Sequence, residues 1–251
     1  MGKTKQTIKT AIRKFLGFEL INIIKHKTYN QDSLVTLHNH DFMQDTAFLG
    51  AYNRGVKAYK YDPQFHWRVH VALWVASHVK SLNGDFVECG VNRGFLSTAI
   101  MQYCDWNTLG KHFFLFDTFA GLDEKYVSKS EKEKGRMKFS RSMYSECYNE
   151  VKSNFAEFQN VHLVRGSIPE TLGHVDIPTV CYLSLDMNCA QPEIAAANYF
   201  WGKMERGAIA LLDDYAYVGY EEQKHAFDDF AVIHGIKILS LPTGQGLYIK
   251  P

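Results

Sequence analysis

The chain has 251 residues, of which 46% are hydrophobic and 22% charged, and this balance excludes a largely disordered protein. The formal net charge is +1, so we predict no nucleic-acid partner. Five cysteines without a CxxC spacing argue against zinc ribbons and secreted disulfide frameworks, and favour free thiols in the cytoplasm. No apolar run reaches the roughly 18 to 20 residues that span a bilayer, so we predict no stable membrane insertion.

Residues 1–60 are predicted to form an N-terminal helical extension that caps the site or makes a homodimer contact. Within it, "TIKTAIRKFLGFELINIIKHK" (residues 7–27) has apolar residues at helical spacing and five Lys or Arg. Such a basic amphipathic helix can lie on a membrane surface, but packing on its own domain or on a sister subunit is the more common arrangement. We adopt the packing interpretation.

Residues 61–251 show alternating strand and helix patterns and are predicted to be the main domain. Apolar runs such as "GDFVECG", "KHFFLFD" and "GAIALLDD" predict strands, and segments of about a dozen residues between them predict helices. This alternation indicates an α/β fold with a mostly parallel, seven-stranded sheet covered by helices on both faces. The ending "IKILSLPTGQGLYIKP" predicts a C-terminal β-hairpin, and the charged stretch at 123–142 predicts a loop or lid.

Acidic side chains follow four of the five predicted parallel strands. An acid at a strand end is often only a turn former or a helix cap, but four together are unlikely to arise by chance. Ligands of open α/β sheets bind outside the carboxyl ends of the strands. The strand ends carry Glu88, Asp117, Gly166 with Ser167, Asp186, and the pair Asp213 and Asp214.

The loop "VECGVNRG" predicts the ligand. Gly90 allows a tight turn after the first strand of the main domain, and Gly94 allows the next helix to begin close to a ligand. The dinucleotide fingerprint GxGxxG fails, because Asn92 stands at the middle glycine position. Asp117 is suited to accept both hydroxyl hydrogens of a ribose. A nucleoside with an amino-acid end and no pyrophosphate fits these features, and we therefore predict S-adenosylmethionine.

The segments "VECGVNRG", "FLFDTFAGL", "GSIPETL", "LSLD" and "LLDDY" resemble, in order and spacing, the macrocin O-methyltransferase (TylF-like) family. The resemblance covers roughly residues 60 to 250. It implies a Rossmann-like class I methyltransferase that uses S-adenosylmethionine to methylate sugar hydroxyls in natural products. It also implies cofactor contacts from Glu88, Gly90, Asn92, Arg93, Gly94, Ser97, Asp117, Thr118, Phe119, Gly166, Ser167 and Asp186.

The resemblance further implies that Asp186, Asp213 and Asp214 bind a divalent cation, usually magnesium, and that Asp186 and Asp213 are catalytic. Carboxylate oxygens suit Mg²⁺, and a cation would relieve the repulsion within such a cluster. A metal holding two neighbouring substrate oxygens would also orient one of them and favour its deprotonation.

The chain departs from the family pattern at two places. After Asp186 the sequence continues "MNCAQPE", so Asn188 replaces the family's second acid, which puts the metal in question. The family's candidate base, a histidine after the second strand, has no counterpart between His112 and His162. The metal alone could acidify the acceptor, another residue could serve as the base, or this member could methylate a different kind of acceptor. Segment 123–145 is either the place of acceptor contacts or a solvated charged loop.

We therefore expect an O-methyltransferase that acts on a small hydroxylated molecule, a sugar or natural-product glycoside, with divalent-metal assistance. A catechol-like diol acceptor is the alternative within the enzyme class. A non-catalytic cofactor-binding scaffold is the alternative outside it. His66 and His70 have a spacing that can bind zinc, but their apolar neighbours favour packing.

Overall fold

The computed structural model describes residues 28–251, and the predicted basic helix over 7–27 lies outside them. The chain divides into two compact units, residues 1–40 and 41–251. Across the described residues, no helix combines the length and the apolar character that crossing a membrane requires.

The described part of the first unit is a small antiparallel hairpin rather than a helix. Strand β1 (Tyr29–Gln31) pairs with β2 (Leu34–Thr36). Asp32 and Ser33 form the turn with φ angles of 50° and 59°, the left-handed values that two-residue hairpin turns require.

The second unit is built on a seven-stranded sheet. Its strands are β3 (Asp85–Cys89), β4 (Phe113–Asp117), β5 (Val161–Arg165), β6 (Val180–Leu185), β7 (Met204–Leu212), β8 (Leu239–Ser240) and β9 (Gly246–Ile249). They lie in the order β5-β4-β3-β6-β7-β9-β8. The pairs from β5 to β7 are parallel, and β9 is antiparallel to β7 and β8. The predicted mostly parallel sheet with a C-terminal hairpin is confirmed.

Helices connect the strands and cover both faces of the sheet. They are α1 (Thr46–Tyr59), α2 (His66–Val79), α3 (Phe95–Tyr103), α4 (Lys129–Glu133), α5 (Arg136–Met143), α6 (Tyr148–Asn154), α7 (Ala190–Trp201) and α8 (Glu221–His234). Two separate apolar cores result. Along β3, Phe86 faces the core formed with α1 to α3, whereas Val87 and Cys89 face the core formed with α7 and α8. Alternation of side chains along a strand produces this division.

The main unit begins at Asp41, before the predicted domain boundary at residue 61. Helix α1 belongs to the core, because its Phe48, Ala51 and Tyr52 are all buried there. Asp45 caps the helix by accepting the Phe48 N–H at 2.8 Å. On α2, His66 stacks on Tyr52 with ring centroids 4.1 Å apart, and His70 stacks on Phe42 at 4.0 Å, so these histidines are packing residues as expected.

The predicted charged loop at 123–142 instead contains helices α4 and α5. Ser128 and Glu131 form a reciprocal capping box that starts α4, a signal already legible in the sequence. Gly135, with φ of 86°, separates the two helices. The segment is held by contacts to the start of α8, including Ser128 Oγ to Glu222 Oε2 at 2.7 Å and Lys134 Nζ to Glu221 at 2.8 Å.

The strand order reverses between β3 and β6. From β3 the chain adds β4 and β5 on one side, and then crosses to add β6 and β7 on the other. Loops after β3 and β6 therefore flank a crevice at this switch point, where ligands of such sheets bind.

Candidate active site

The glycine loop after β3 touches the loop after β6. Gly90 has φ of 94°, and a Cβ added to it would lie 1.8 Å from the carbonyl oxygen of Asp186. The Asp186 N–H donates to the Cys89 carbonyl at 2.9 Å. Gly94 has φ of 83°, and a Cβ there would lie 2.5 Å from the Phe155 ring. Both glycines are thus required by close packing of the protein itself, which brings Asp186 to this glycine loop.

Asp117 fastens this loop to the end of β4. Its Oδ2 accepts the N–H groups of Val91 at 2.6 Å and Asn92 at 2.7 Å, and its Oδ1 accepts the Phe119 N–H at 2.6 Å. A carboxylate has about four acceptor positions, so three backbone donors leave room for about one hydroxyl. The expectation that Asp117 accepts both ribose hydroxyls remains a prediction.

Glu88 lies beneath the loop and is 3% exposed. Burial, together with the negative charges of Asp117 and Asp213, raises the pKa of Glu88 to about 8. Its Oε2 is buried and has no hydrogen-bond partner among residues 28–251. Ser97, on the first turn of α3, is fully buried beside it. A buried oxygen without a protein partner is suited to a polar ligand group such as an amine.

The other predicted cofactor residues lie around the same loop. Arg93 forms an ion pair with Glu150 and donates to Ser145 Oγ at 3.2 Å. Thr118 Oγ1 donates to the Gly121 carbonyl at 2.6 Å. The Phe119 side chain is only 1% exposed and packs 5.4 Å from the Tyr148 ring, so it belongs to the core. An adenine at this place would therefore meet the Phe119 backbone rather than its ring.

Gly166 and Ser167 follow β5 and adjoin the end of β4. The Gly166 N–H donates to the Asp117 carbonyl at 2.9 Å. Ser167 Oγ donates to Asp123 Oδ2 at 2.7 Å, which ties this turn to the start of the charged segment. These residues are positioned as expected at the sheet edge, and their contact with adenine remains a prediction.

Three carboxylates converge at the ends of β6 and β7. Asp213 and Asp214 are 7% and 6% exposed, whereas Asp186 is only partly buried. Removal from bulk water, and then the charge of Asp213, raises the pKa of both Asp186 and Asp214 well above the ordinary value. Asp214 Oδ2 is buried with no hydrogen-bond partner within the described residues.

Asp213 is held by two groups that the sequence did not indicate. Arg68 Nη1 on α2 donates to Asp213 Oδ2 at 2.6 Å, and Gln245 Nε2 donates to Oδ1 at 3.2 Å. Gln245 is fully buried in the turn between β8 and β9. Neither contact has a local sequence signal, because each partner lies more than thirty positions away from Asp213 in the chain.

Asp186 is held by a chain of polar contacts. Asn188 Nδ2 donates to Asp186 Oδ1 at 2.9 Å, and Tyr220 Oη donates to Asn188 Oδ1 at 3.0 Å. The Arg136 guanidinium lies 3.6 Å from the centre of the Tyr220 ring and donates to the Gly219 carbonyl at 3.1 Å. The charged segment therefore contributes Arg136 to the site, within the range where acceptor contacts were predicted.

The residues present do not fit a divalent cation in this arrangement. Among residues 28–251, no three His, Cys, Asp or Glu side chains are arranged to hold a metal ion. Both Asp213 oxygens and Asp186 Oδ1 already accept hydrogen bonds, and Asn188 Oδ1 faces the Tyr220 hydroxyl. The predicted magnesium site at Asp186, Asp213 and Asp214 thus remains a prediction without support from the donor set.

The sequence matches the macrocin-O-methyltransferase (TylF) family over residues 71–239. This match covers more than half of the chain. The chain belongs to the macrocin-O-methyltransferase (TylF) family. As a member of the TylF family it is an S-adenosylmethionine-dependent O-methyltransferase, as predicted.

Solved structures support the TylF fold. The O-methyltransferase NovP is 18% identical with a TM-score of 0.64, covering 73% of this chain and 79% of NovP. CalS11, a calicheamicin methyltransferase, is 18% identical with a TM-score of 0.56, covering 72% and 78%. An apo structure of CalS11, described as a TDP-rhamnose 3'-O-methyltransferase of calicheamicin biosynthesis, is 16% identical with a TM-score of 0.51, covering 72% and 78%. A comparison with curated protein sequences found no significant match.

The TylF cofactor fits the residues of this site. Glu88 Oε2, which has no hydrogen-bond partner in the part of the chain that the structure describes, lies beside Ser97 at the base of the loop. Asp117 keeps acceptor capacity at the end of the neighbouring strand. Both lie at the switch point of the sheet, so the amino-acid end and the ribose of S-adenosylmethionine each have a polar group to meet.

Proposed function

We propose that the protein transfers a methyl group to a hydroxyl of a sugar or of a sugar-bearing natural product. The observation that carries the proposal is the juxtaposition of the cofactor loop with an acidic rim, at Gly90 and Asp186. Membership of the TylF family and the description of CalS11 as a TDP-rhamnose 3'-O-methyltransferase support the choice of acceptor.

The cofactor loop binds and orients the methyl donor. S-adenosylmethionine, when bound, supplies a methyl group on a positively charged sulfur, which an oxygen nucleophile can attack. Glu88 and Ser97 hold the amino-acid end, and Asp117 holds one ribose hydroxyl while keeping the backbone of Val91 and Asn92 in place. Such fixed positioning of donor and acceptor is the main source of acceleration in a displacement of this kind.

Asp186 is the residue that acts on the acceptor hydroxyl. It lies at the switch-point crevice and is the most exposed of the three rim carboxylates. Its Oδ1 is held by Asn188, which leaves Oδ2 to accept a hydrogen bond and then the proton of the acceptor. Asp213 does not contact the acceptor in this scheme, and its negative charge beside Asp186 strengthens Asp186 as a base.

No step of this reaction scheme is assigned to magnesium. Three of the six carboxylate oxygens that the sequence assigned to a cation, both of Asp213 and Oδ1 of Asp186, accept hydrogen bonds from Arg68, Gln245 and Asn188. In this scheme the proton of the acceptor passes to Asp186.

The test is a methyl-transfer assay with S-adenosylmethionine labelled on its methyl group. The acceptors are nucleotide-linked deoxysugars, glycosides, catechols and the O-methylated form of each. We expect label in a sugar methyl ether and none with the methylated controls. Methylation confined to catechols, or cofactor binding without turnover on any sugar, contradicts the proposal.

Two variants separate binding from chemistry in that assay. Asp117→Asn removes an acceptor for backbone and ribose donors and is expected to weaken S-adenosylhomocysteine binding at least about tenfold, measured by calorimetry. Asp186→Asn is expected to lower turnover at saturating cofactor by about a hundredfold or more. Asp176→Asn, at an exposed position, is the matched control and is expected to behave as the unmodified protein.

A further inference from the structure

The acidic rim, formed by Asp186, Asp213 and Asp214, contains a positively charged side chain, Arg68. Arg68 Nη1 lies 2.6 Å from Asp213 Oδ2, and the two side chains are only 14% and 10% exposed. The guanidinium lies 4.5 Å from the centre of the Phe65 ring and 5.5 Å from that of Tyr217. Aromatic rings on its neighbours and a buried carboxylate thus hold Arg68 in one place.

The positive charge of Arg68 reaches the whole rim. Its charge attracts the carboxylates of Asp186 and Asp214 as well as that of Asp213. Arg136 also attracts the carboxylate of Asp214. Asn188, which stands where the family pattern has an acid, adds no negative charge. With two guanidinium groups nearby, and one acid fewer than the family pattern has, the rim carries less negative charge for a divalent cation to neutralise.

A magnesium ion would have to share Asp213 with Arg68. Since Mg–O bonds are about 2.1 Å long, an ion bonded to Asp213 Oδ2 would lie within about 5 Å of Arg68 Nη1. The repulsion between a dication and a guanidinium at that distance in a partly buried site is strong. Binding of the ion therefore requires displacement of Arg68 from its ring contacts.

We propose that Arg68 is the built-in cation of the acidic rim, so that the protein binds no divalent metal there and transfers methyl groups without one. The second half of this statement rests on the proposed function; the first half does not. Arg68 is a positioning residue, because it touches Asp213 rather than the reacting atoms.

The first test titrates Mn²⁺ into the full-length protein saturated with S-adenosylhomocysteine, with free Mn²⁺ measured by electron paramagnetic resonance. We expect the unmodified protein to bind no Mn²⁺ up to about 1 mM. Arg68→Met is expected to bind Mn²⁺ with a Kd at least about tenfold below that 1 mM limit. Adding Asp213→Asn to this variant is expected to abolish the binding. Arg68→Lys keeps the charge and is expected to resemble the unmodified protein.

Two outcomes of this titration overturn the proposal. The first is tight Mn²⁺ binding by the unmodified protein, if Asp213→Asn abolishes that binding. Failure of a folded Arg68→Met variant to gain Mn²⁺ binding also overturns it. If that variant does not fold, the titration of the unmodified protein and of Arg68→Lys decides. Arg206→Gln, exposed at the opposite end of β7, is the control for loss of a positive charge.

The second test uses turnover once an acceptor is identified. We expect the rate of the unmodified protein to change less than about twofold in excess chelator, and the rate of Arg68→Gln to fall at least about tenfold with partial recovery in Arg68→Lys. A rate that collapses in chelator overturns the proposal. Calorimetry with S-adenosylhomocysteine keeps the two ideas apart: absence of binding counts against the proposed function, and the Mn²⁺ titration is then carried out and interpreted on the protein without that ligand.

Discussion

At the scale of single residues, Gly90 shows how backbone packing builds the site. The sequence suggested that Gly90 allows a tight turn and that Gly94 lets the next helix begin close to a ligand. The structure shows that Gly90 makes room for the Asp186 carbonyl and Gly94 for the Phe155 ring. Gly90 therefore sets the distance between the glycine loop after β3 and Asp186 after β6.

We expect Gly90→Ala to lower the free energy of unfolding by more than about 3 kcal/mol, because the new Cβ meets backbone as well as taking a positive φ. Gly110→Ala is the matched control: its φ is 66°, and an added Cβ would meet no atom of the described residues within 4 Å, so the variant is expected to lose only about 1 to 2 kcal/mol. Urea unfolding followed by circular dichroism measures both. Equal losses would show that the contact with Asp186 contributes nothing.

At the scale of elements, the charged segment at 123–142, here called the strap, is held to the rest of the domain by a buried side chain. Glu131 is 2% exposed although its helix has only five residues. Its Oε2 accepts the Ser128 N–H at 2.8 Å, and its Oε1 accepts the Ala190 N–H at 2.9 Å at the start of α7. Glu131 thus caps two helices, and the second has no side-chain cap from its own N-cap residue, Cys189.

We expect Glu131→Ala to lower the free energy of unfolding by about 2 kcal/mol and to speed trypsin cleavage within 125–141, because two buried N–H groups lose their acceptor. Glu133→Ala, on the same helix with its side chain 68% exposed, is expected to change either quantity little. Cleavage at an unchanged rate in Glu131→Ala would mean that the strap is held by its ion pairs alone.

At the scale of the whole molecule, buried acids couple stability to pH. Glu193 on α7 is 2% exposed and accepts the Met187 N–H at 2.9 Å and the Gln223 amide at 3.0 Å. Burial, followed by the charge of Asp186, raises the pKa of Glu193 from 4.5 to about 8. The folded protein keeps a proton there that the unfolded chain has lost, so the stabilisation is complete below about pH 4.5 and disappears as the pH rises through about 8.

We expect the free energy of unfolding to fall between pH 5 and pH 8, with a slope that Glu193→Gln reduces by up to about 1.4 kcal/mol per pH unit. Gln retains the oxygen that accepts both hydrogen bonds, so the variant is expected to fold. Urea unfolding at several pH values measures the slopes, and the exposed Glu133→Gln is the control. Parallel profiles for the protein and Glu193→Gln would contradict a raised pKa for Glu193.

The sequence by itself determined the sheet, the cofactor loop and the acids at the strand ends. These are local properties, because strand and helix periodicity, the Gly90 turn and an acid after an apolar run can each be read within about ten residues. The rule that parallel strands end at one edge then brings Glu88, Asp117, Asp186 and Asp213 together. The capping box at Ser128 was equally local, yet the high charge of the segment masked it.

Only the tertiary structure decided which positively charged and polar side chains pair with those acids. Arg68 and Asp213 are 145 positions apart, and Gln245 reaches Asp213 from the C-terminal hairpin. Tyr220 joins Asn188 across 32 positions. Such pairs depend on how α2, the start of α8 and the last turn pack against the strand ends, and no spacing in the sequence records that packing. The acids could be predicted from the sequence, but their positively charged partner, Arg68, was identified only from the packing of α2 against the end of β7.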